Sequence, residues 1–176
     1  MLMRHLSLIL AMWLFCPILR ATAQQENFFT GSPPTFKGEE SPYKEVYIPN
    51  THYYFKFSLS EKANTPIAQI LIQPQPNIEE IALVLSETKA FLGTPNNRGS
   101  QIEIATVTQD PNSRLITVSF TEAIKPGTDF TVALQTKQNP SYQGIYQYTV
   151  YAVPIGTSPV PMDLGVARFH FYSWGR

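Results

Sequence analysis

The sequence predicts an all-β protein, an antiparallel β-sandwich of about eight or nine strands preceded by an irregular N-terminal arm. Two observations carry this prediction. Apolar and polar residues alternate with period two in one short segment after another. Turns rich in proline, glycine and asparagine separate these segments roughly every 8 to 15 residues, with no internal repeat and no long helical pattern between them.

The chain opens on a segment that does not belong to the fold. Arg4 and His5 precede an apolar run from Leu6 to Leu19, and Ala21-Thr22-Ala23 supplies small residues where a signal peptidase reads. The run falls short of the about 20 residues that span a bilayer, so residues 1–23 are expected to be a signal peptide cleaved after Ala23, leaving no membrane span. Leu14 and Phe15 stand where a lipid anchor on Cys16 would need small residues. Cleavage removes the one cysteine, so the exported chain must be held by its core rather than by disulfides.

Residues 24–50 form the arm, broken by Gly31-Ser32-Pro33-Pro34, Gly38-Glu39-Glu40 and Ser41-Pro42, with a short edge strand expected over Tyr43–Ile48. Residues 51–176 form the sandwich. Thr51–Leu59 places Tyr53, Phe55, Phe57 and Leu59 on one face and His52, Tyr54, Lys56 and Ser58 on the other. Ala68–Gln73 follows and is closed by Pro74 and Pro76. Asn77–Gly93 admits two readings. Asn77 could cap a helix with Glu79 and Glu80 in its first turn, or Ile81–Leu85 is a buried strand and Thr88–Gly93 a turn. The neighbouring strands and the Ile and Val content favour the strand. Pro95–Gly99 reads as a loop, and Ile102–Val107 and Leu115–Phe120 as a hairpin around Asp110-Pro111-Asn112. Phe130–Leu134, Gln143–Tyr151 and Leu164–Tyr172 complete the set.

Gln143–Tyr151 organises the rest. Tyr146, Tyr148 and Val150 share one face, opposed by Gln147 and Thr149. The Gly144-x-Tyr146-x-Tyr148 pattern resembles the tyrosine corner of immunoglobulin-like sandwiches, with Tyr148 where those domains place a core cysteine. Several further pieces occur in order: Tyr53-Tyr54-Phe55, Thr88-Lys89-Ala90-Phe91-Leu92-Gly93, Ile116–Phe120, Pro126-Gly127-Thr128, Asn139-Pro140 and Arg168-Phe169-His170-Phe171-Tyr172. This ordered set resembles a cyanobacterial exported family known as domain of unknown function number 2808, over about Thr51 to Tyr172. The stretch Thr121–Ile124 departs from the more proline-rich turn of that family. The resemblance implies export and a sandwich fold, and lends no catalytic residues.

Composition narrows the chemistry. Removing Arg4 and Arg20 leaves eleven basic side chains against thirteen acidic ones, a net charge of −2 with histidine neutral. No basic cluster capable of holding a phosphate backbone is present, so nucleic acid is not an expected partner. A blue-copper centre needs a cysteine thiolate. A copper(II) site in a periplasmic carrier would have to draw on His52 and His170, helped by Asp163. No Gly-x-Ser-x-Gly elbow exists, and Glu39-Glu40 and Glu79-Glu80 are adjacent residues that point apart in an extended chain, so no enzyme is expected and no cofactor is called for. The functional signal is aromatic. Tyr54, Tyr142, Tyr151, Tyr172 and Trp174, with His170, fall on outward faces or loops, where aromatic rings with polar handles serve as binding surfaces for a protein or glycan partner. The expectation is an exported, periplasmic or extracellular, non-enzymatic binding or envelope-associated protein.

Overall fold

The computed structural model of the protein describes residues 27–173. The expected signal peptide and Trp174 lie outside these residues. The strands are β1 (Thr35–Glu40), β2 (His52–Leu59), β3 (Ile67–Pro74), β4 (Lys89–Thr94), β5 (Asn97–Ile102), β6 (Ile104–Gln109), β7 (Ile116–Ile124), β8 (Thr128–Gln135), β9 (Gly144–Pro154) and β10 (Met162–Phe171). They form two five-stranded sheets in the orders β1-β2-β8-β4-β5 and β10-β9-β3-β7-β6, and every pairing is antiparallel.

The topology is immunoglobulin-like. Taken in chain order, β1, β2, β3, β4, β8, β9 and β10 occupy the places of strands A to G: β1-β2-β8-β4 gives the A-B-E-D sheet, and β3-β9-β10 the C-F-G sheet. An insertion of β5, β6 and β7 between D and E widens both sheets by the same side.

Alternation accounts for the core. Tyr53, Phe55, Phe57 and Leu59 of β2 meet Ile70 and Ile72 of β3, Ile116 and Val118 of β7, Tyr146, Tyr148 and Val150 of β9, and Ala167 and Phe169 of β10, all buried. Where immunoglobulin domains bridge strands B and F with a disulfide, this protein sets an aromatic cluster. The Tyr148 ring stands edge-on to Phe55 at 5.9 Å and to Phe169 at 5.8 Å, and Tyr53 stacks on Phe169 at 4.5 Å. Such pairs are worth about 0.5–1.5 kcal/mol each beyond their burial.

Four segments differ from expectation. Ile81–Leu85 is not a strand: the chain crosses there from one sheet to the other. Ile81 and Leu83 pack against the core as irregular cover, a single bridge joins Leu83 to Thr136, and a 3-10 turn follows at Leu85–Glu87. Thr88–Gly93, expected as a turn, is mostly β4, because Ala90 and Phe91 pair with Val132 and Thr131 of β8. Pro95–Gly99 is not all loop, since Asn97 already begins β5 and closes a tight hairpin on Gly93 (φ +82°), where a side chain would collide with the Asn97 carbonyl. Within the arm, Gly38 does not interrupt pairing. It marks a register shift that lets Thr35–Glu40 run along β2 as an edge strand, whereas Tyr43–Ile48 is an irregular loop with one bridge, Glu45 to Tyr172.

The described chain starts at the end of the sandwich where β9 turns into β10: Asn27 donates its backbone N–H to Ser158 O at 2.8 Å and accepts from Val160 N at 2.9 Å. It finishes, beyond Tyr172, at the opposite end.

Candidate binding surface at one end of the sandwich

Three loops and the residues after β10 meet at that opposite end, tied by main-chain bonds. In the β1–β2 loop, Val46 N donates to Tyr172 O at 3.0 Å, and Tyr47 N donates to Pro140 O at 3.1 Å. Tyr172 N returns a bond to Lys44 O at 2.8 Å. The crossing segment joins through Lys137 N, which donates to Ala82 O at 2.8 Å.

Two buried polar groups fix this assembly. Asn139, 2% exposed, donates through its amide to Tyr43 O at 3.2 Å and Glu45 O at 2.8 Å, while its Oδ1 accepts from the Tyr53 hydroxyl at 3.1 Å. Tyr146 completes the tyrosine corner. Its hydroxyl faces Tyr142 O, four residues upstream, at 3.1 Å, and shares its proton with Glu79 Oε1 at 2.9 Å. The same carboxylate oxygen accepts from Tyr142 N at 2.8 Å. Burial, followed by the hydrogen bond to Glu79, pushes the Tyr146 phenol well above the usual tyrosine range.

Among the described residues, six of the nine exposed large hydrophobic side chains collect here: Tyr43, Tyr47, Ile78, Tyr142, Ile145 and Tyr172. Asn77, next to Ile78 in the chain, donates its side-chain amide to Ile145 O at 2.8 Å and so ties the crossing segment to the start of β9. Exposed apolar side chains concentrated at one end of a domain are a mark of interaction sites.

Of the residues expected to bind, Tyr142 and Tyr172 stand on this rim, both 56% exposed. His170 points outward from β10 into a shallow groove of about 360 Å³ between the β1 and β10 edges, which it shares with Glu39, Arg168 and Tyr172. Tyr54 does not belong to the surface. It is 7% exposed, covered by Phe91 and by Arg98, whose Nη2 donates to the Tyr54 hydroxyl at 2.9 Å. Tyr151 lies half-buried on the outer side of β9 between Leu71 and Asp163, away from the rim. Tyr43, Tyr47 and Ile78 carry no sequence signal, because they sit in irregular segments where no periodicity assigns a face.

The geometry does not assemble the two-histidine copper site. The two histidines lie on strands of different sheets: His52 is on β2, which pairs with β1 and β8, and His170 is on β10, which pairs with β9. His52 stacks on Tyr54 at 5.8 Å, and desolvation, then the charges of Lys89 and Arg98, hold its pKa below the ordinary value. Among the described residues, no three histidine, cysteine or carboxylate side chains come together as metal ligands would.

Fold and site together define an immunoglobulin-like sandwich with an aromatic loop end. The chain belongs to the family described as "Protein of unknown function (DUF2808)", whose model matches residues 26–171. Among curated proteins nothing matches it significantly. Among solved structures it is similar to the collagen-binding domain from a Staphylococcus aureus adhesin, at 14% identity and a TM-score of 0.43, covering 79% of this chain and 97% of that one. It is also similar to ACE19, the collagen binding subdomain of Enterococcus faecalis surface protein ACE, at 8% identity and a TM-score of 0.39, covering 84% and 99%. These likenesses are too distant to carry function.

Proposed function

We propose that this is an exported, non-enzymatic binding or envelope-associated protein that presents its aromatic loop end to a protein or glycan partner. The observation that carries this is the asymmetry of the surface: among the described residues, six of nine exposed large hydrophobic side chains lie at one end, where the loops are locked by main-chain bonds and by Asn139. Rigid tyrosines lose little entropy on binding and offer both a ring face and a hydroxyl. Export is supported by Arg4, the apolar run and Ala21-Thr22-Ala23. No helix among the described residues is long and apolar enough to cross a membrane. In the cyanobacterial cell that the family resemblance implies, the periplasm or the cell exterior is the proposed compartment.

The test is co-sedimentation of the protein with cell-envelope fragments. Tyr43→Ala combined with Tyr172→Ala is expected to lower the bound fraction several-fold, and Tyr151→Ala to leave it unchanged. Equal sedimentation of all variants, or none with the wild type, would sink the proposal. Mass spectrometry of the native protein is expected to start at Gln24, and an intact Met1 in the soluble fraction would contradict export.

A further inference from the structure

A second feature lies beside the tyrosine rim and shares Asn77, Glu79 and Tyr146 with its supports. A groove of about 470 Å³ opens where β3 ends, between the crossing segment and the β6–β7 turn. That volume lies in the range of small-molecule sites, roughly 300–1,000 Å³. We propose that this groove binds a neutral sugar of one or two rings, with the Tyr148 hydroxyl as its fixed polar contact.

Tyr148 is the starting point. It is 4% exposed and lines the groove. The other two buried core tyrosines have partners for their hydroxyls: Tyr53 has Asn139, and Tyr146 has Glu79. The Tyr148 hydroxyl makes no such bond among the described residues. Nor is it one of the fully enclosed unpaired polar atoms, which are Thr51 Oγ1 and Thr88 Oγ1, so it keeps contact with the groove. A hydroxyl with no protein partner that still reaches the groove is free to bond a ligand hydroxyl placed there.

The remaining lining selects the ligand class. Its one cation is already taken: Arg114 pairs with Glu80 at 3.0 Å, while one oxygen of Glu79 is held by the neutral donors of Tyr146 and Tyr142. An anionic ligand would therefore find no free cation in the lining. Gln73 commits its NH2 group to Ser113 O at 2.6 Å, and Gln75 commits its own to Thr149 Oγ1 at 2.7 Å. Their carbonyl oxygens are left as acceptors, and Asn112 adds an amide from the turn. A purely apolar ligand would bury these groups unpaired. Ile81, Leu83, Pro74 and Pro76 add carbon surface to the lining. Free acceptors, one free phenol donor and carbon surface in a single groove suit a ring whose hydroxyls donate and accept while its C–H face packs on carbon.

The experiment titrates the full chain with glucose, N-acetylglucosamine, maltose and chitobiose, followed by NMR. At least one is expected to bind and to shift the resonances of Tyr148 and Asn112. Tyr148→Phe keeps the ring and is expected to weaken that binding about 3- to 10-fold, the loss of one neutral hydrogen bond. Tyr172→Ala is expected to leave sugar affinity unchanged, which separates this site from the rim. Should Tyr148→Phe fail to fold, Asn112→Ala, in an exposed turn, carries the same expectation. Absence of binding by all four sugars at about 20 mM, equal affinity in Tyr148→Phe, or shifts confined to the rim would each overturn the proposal.

Discussion

The Tyr53 hydroxyl donates to Asn139 Oδ1 at 3.1 Å, joining the middle of the inter-sheet core to the loops that carry the exposed tyrosines. Core and rim are therefore coupled through one amide. Asn139→Ala leaves the Tyr53 hydroxyl and the carbonyls of Tyr43 and Glu45 without their partner. The expected cost is about 2–4 kcal/mol, against about 1 kcal/mol for Tyr53→Phe, which removes only one bond. Denaturant midpoints of the two single variants and the double variant check this, and the double is expected to cost less than the sum.

Tyr148 and Gln147 are neighbours in sequence and opposites in environment. Tyr148→Ala removes a ring packed on Tyr53, Phe55 and Phe169 and is expected to cost about 3–5 kcal/mol. Gln147→Ala, on the outer side of β9 beside Arg168, is expected to cost about 0.5 kcal/mol or less. Equal denaturation midpoints would contradict the burial described for this strand.

Alkaline stability follows from the buried phenols. Burial raises Tyr53 and Tyr148, and burial with the Glu79 hydrogen bond raises Tyr146, all above the ordinary value of about 10. A phenol whose pKa is raised by folding stabilises the native state below its unfolded pKa, and that contribution is lost as pH rises above it. Stability is thus expected to fall above about pH 10. The tyrosinate absorbance of these three rings is expected to appear together with the loss of β-sheet circular dichroism. Tyr146→Phe and Tyr148→Phe are each expected to remove one ring from that late step.

His52 produces the opposite slope on the acid side. Its pKa is depressed in the fold by desolvation and by Lys89 and Arg98, so below about pH 6.5 the unfolded chain takes a proton that the folded one refuses. Stability is expected to fall as pH drops from 7 towards 5, and His52→Gln is expected to flatten that decline. An unchanged decline in His52→Gln, measured by thermal melting across this range, would show that other groups govern it.

The interior strands were legible because one of their faces is buried and the other is not. Tyr53, Phe55 and Phe57, or Ile116 and Val118, announce themselves by period two. Periodicity names a face without saying what covers it, which is why Tyr54 was expected outside. The β4–β5 hairpin lays Phe91 and Arg98 across it, and only the assembled sheet shows that. Ile81–Leu85 misled for a related reason. An apolar run records burial, and a crossing segment that caps the core edge is buried without being paired. Of the candidate surface, Tyr142 and Tyr172 were readable from their loop and outward positions. Tyr43 and Tyr47 came to the same rim only through bonds from residues far along the chain, Pro140 and Tyr172.

Because Asn27 is pinned beside Ser158 and Tyr172 beside Lys44, the described chain enters at one pole and leaves at the other. The molecule therefore has a handle and a face. A fusion partner, dye or solid support coupled ahead of residue 27 leaves the tyrosines pointing away from the attachment, whereas the same group coupled after residue 173 sits among them. Captured by its leading end on a sensor chip, the protein offers its ring-bearing pole to the flowing analyte. Captured by its trailing end, it presents the Asn27 pole instead, and a partner of the tyrosines would pass undetected.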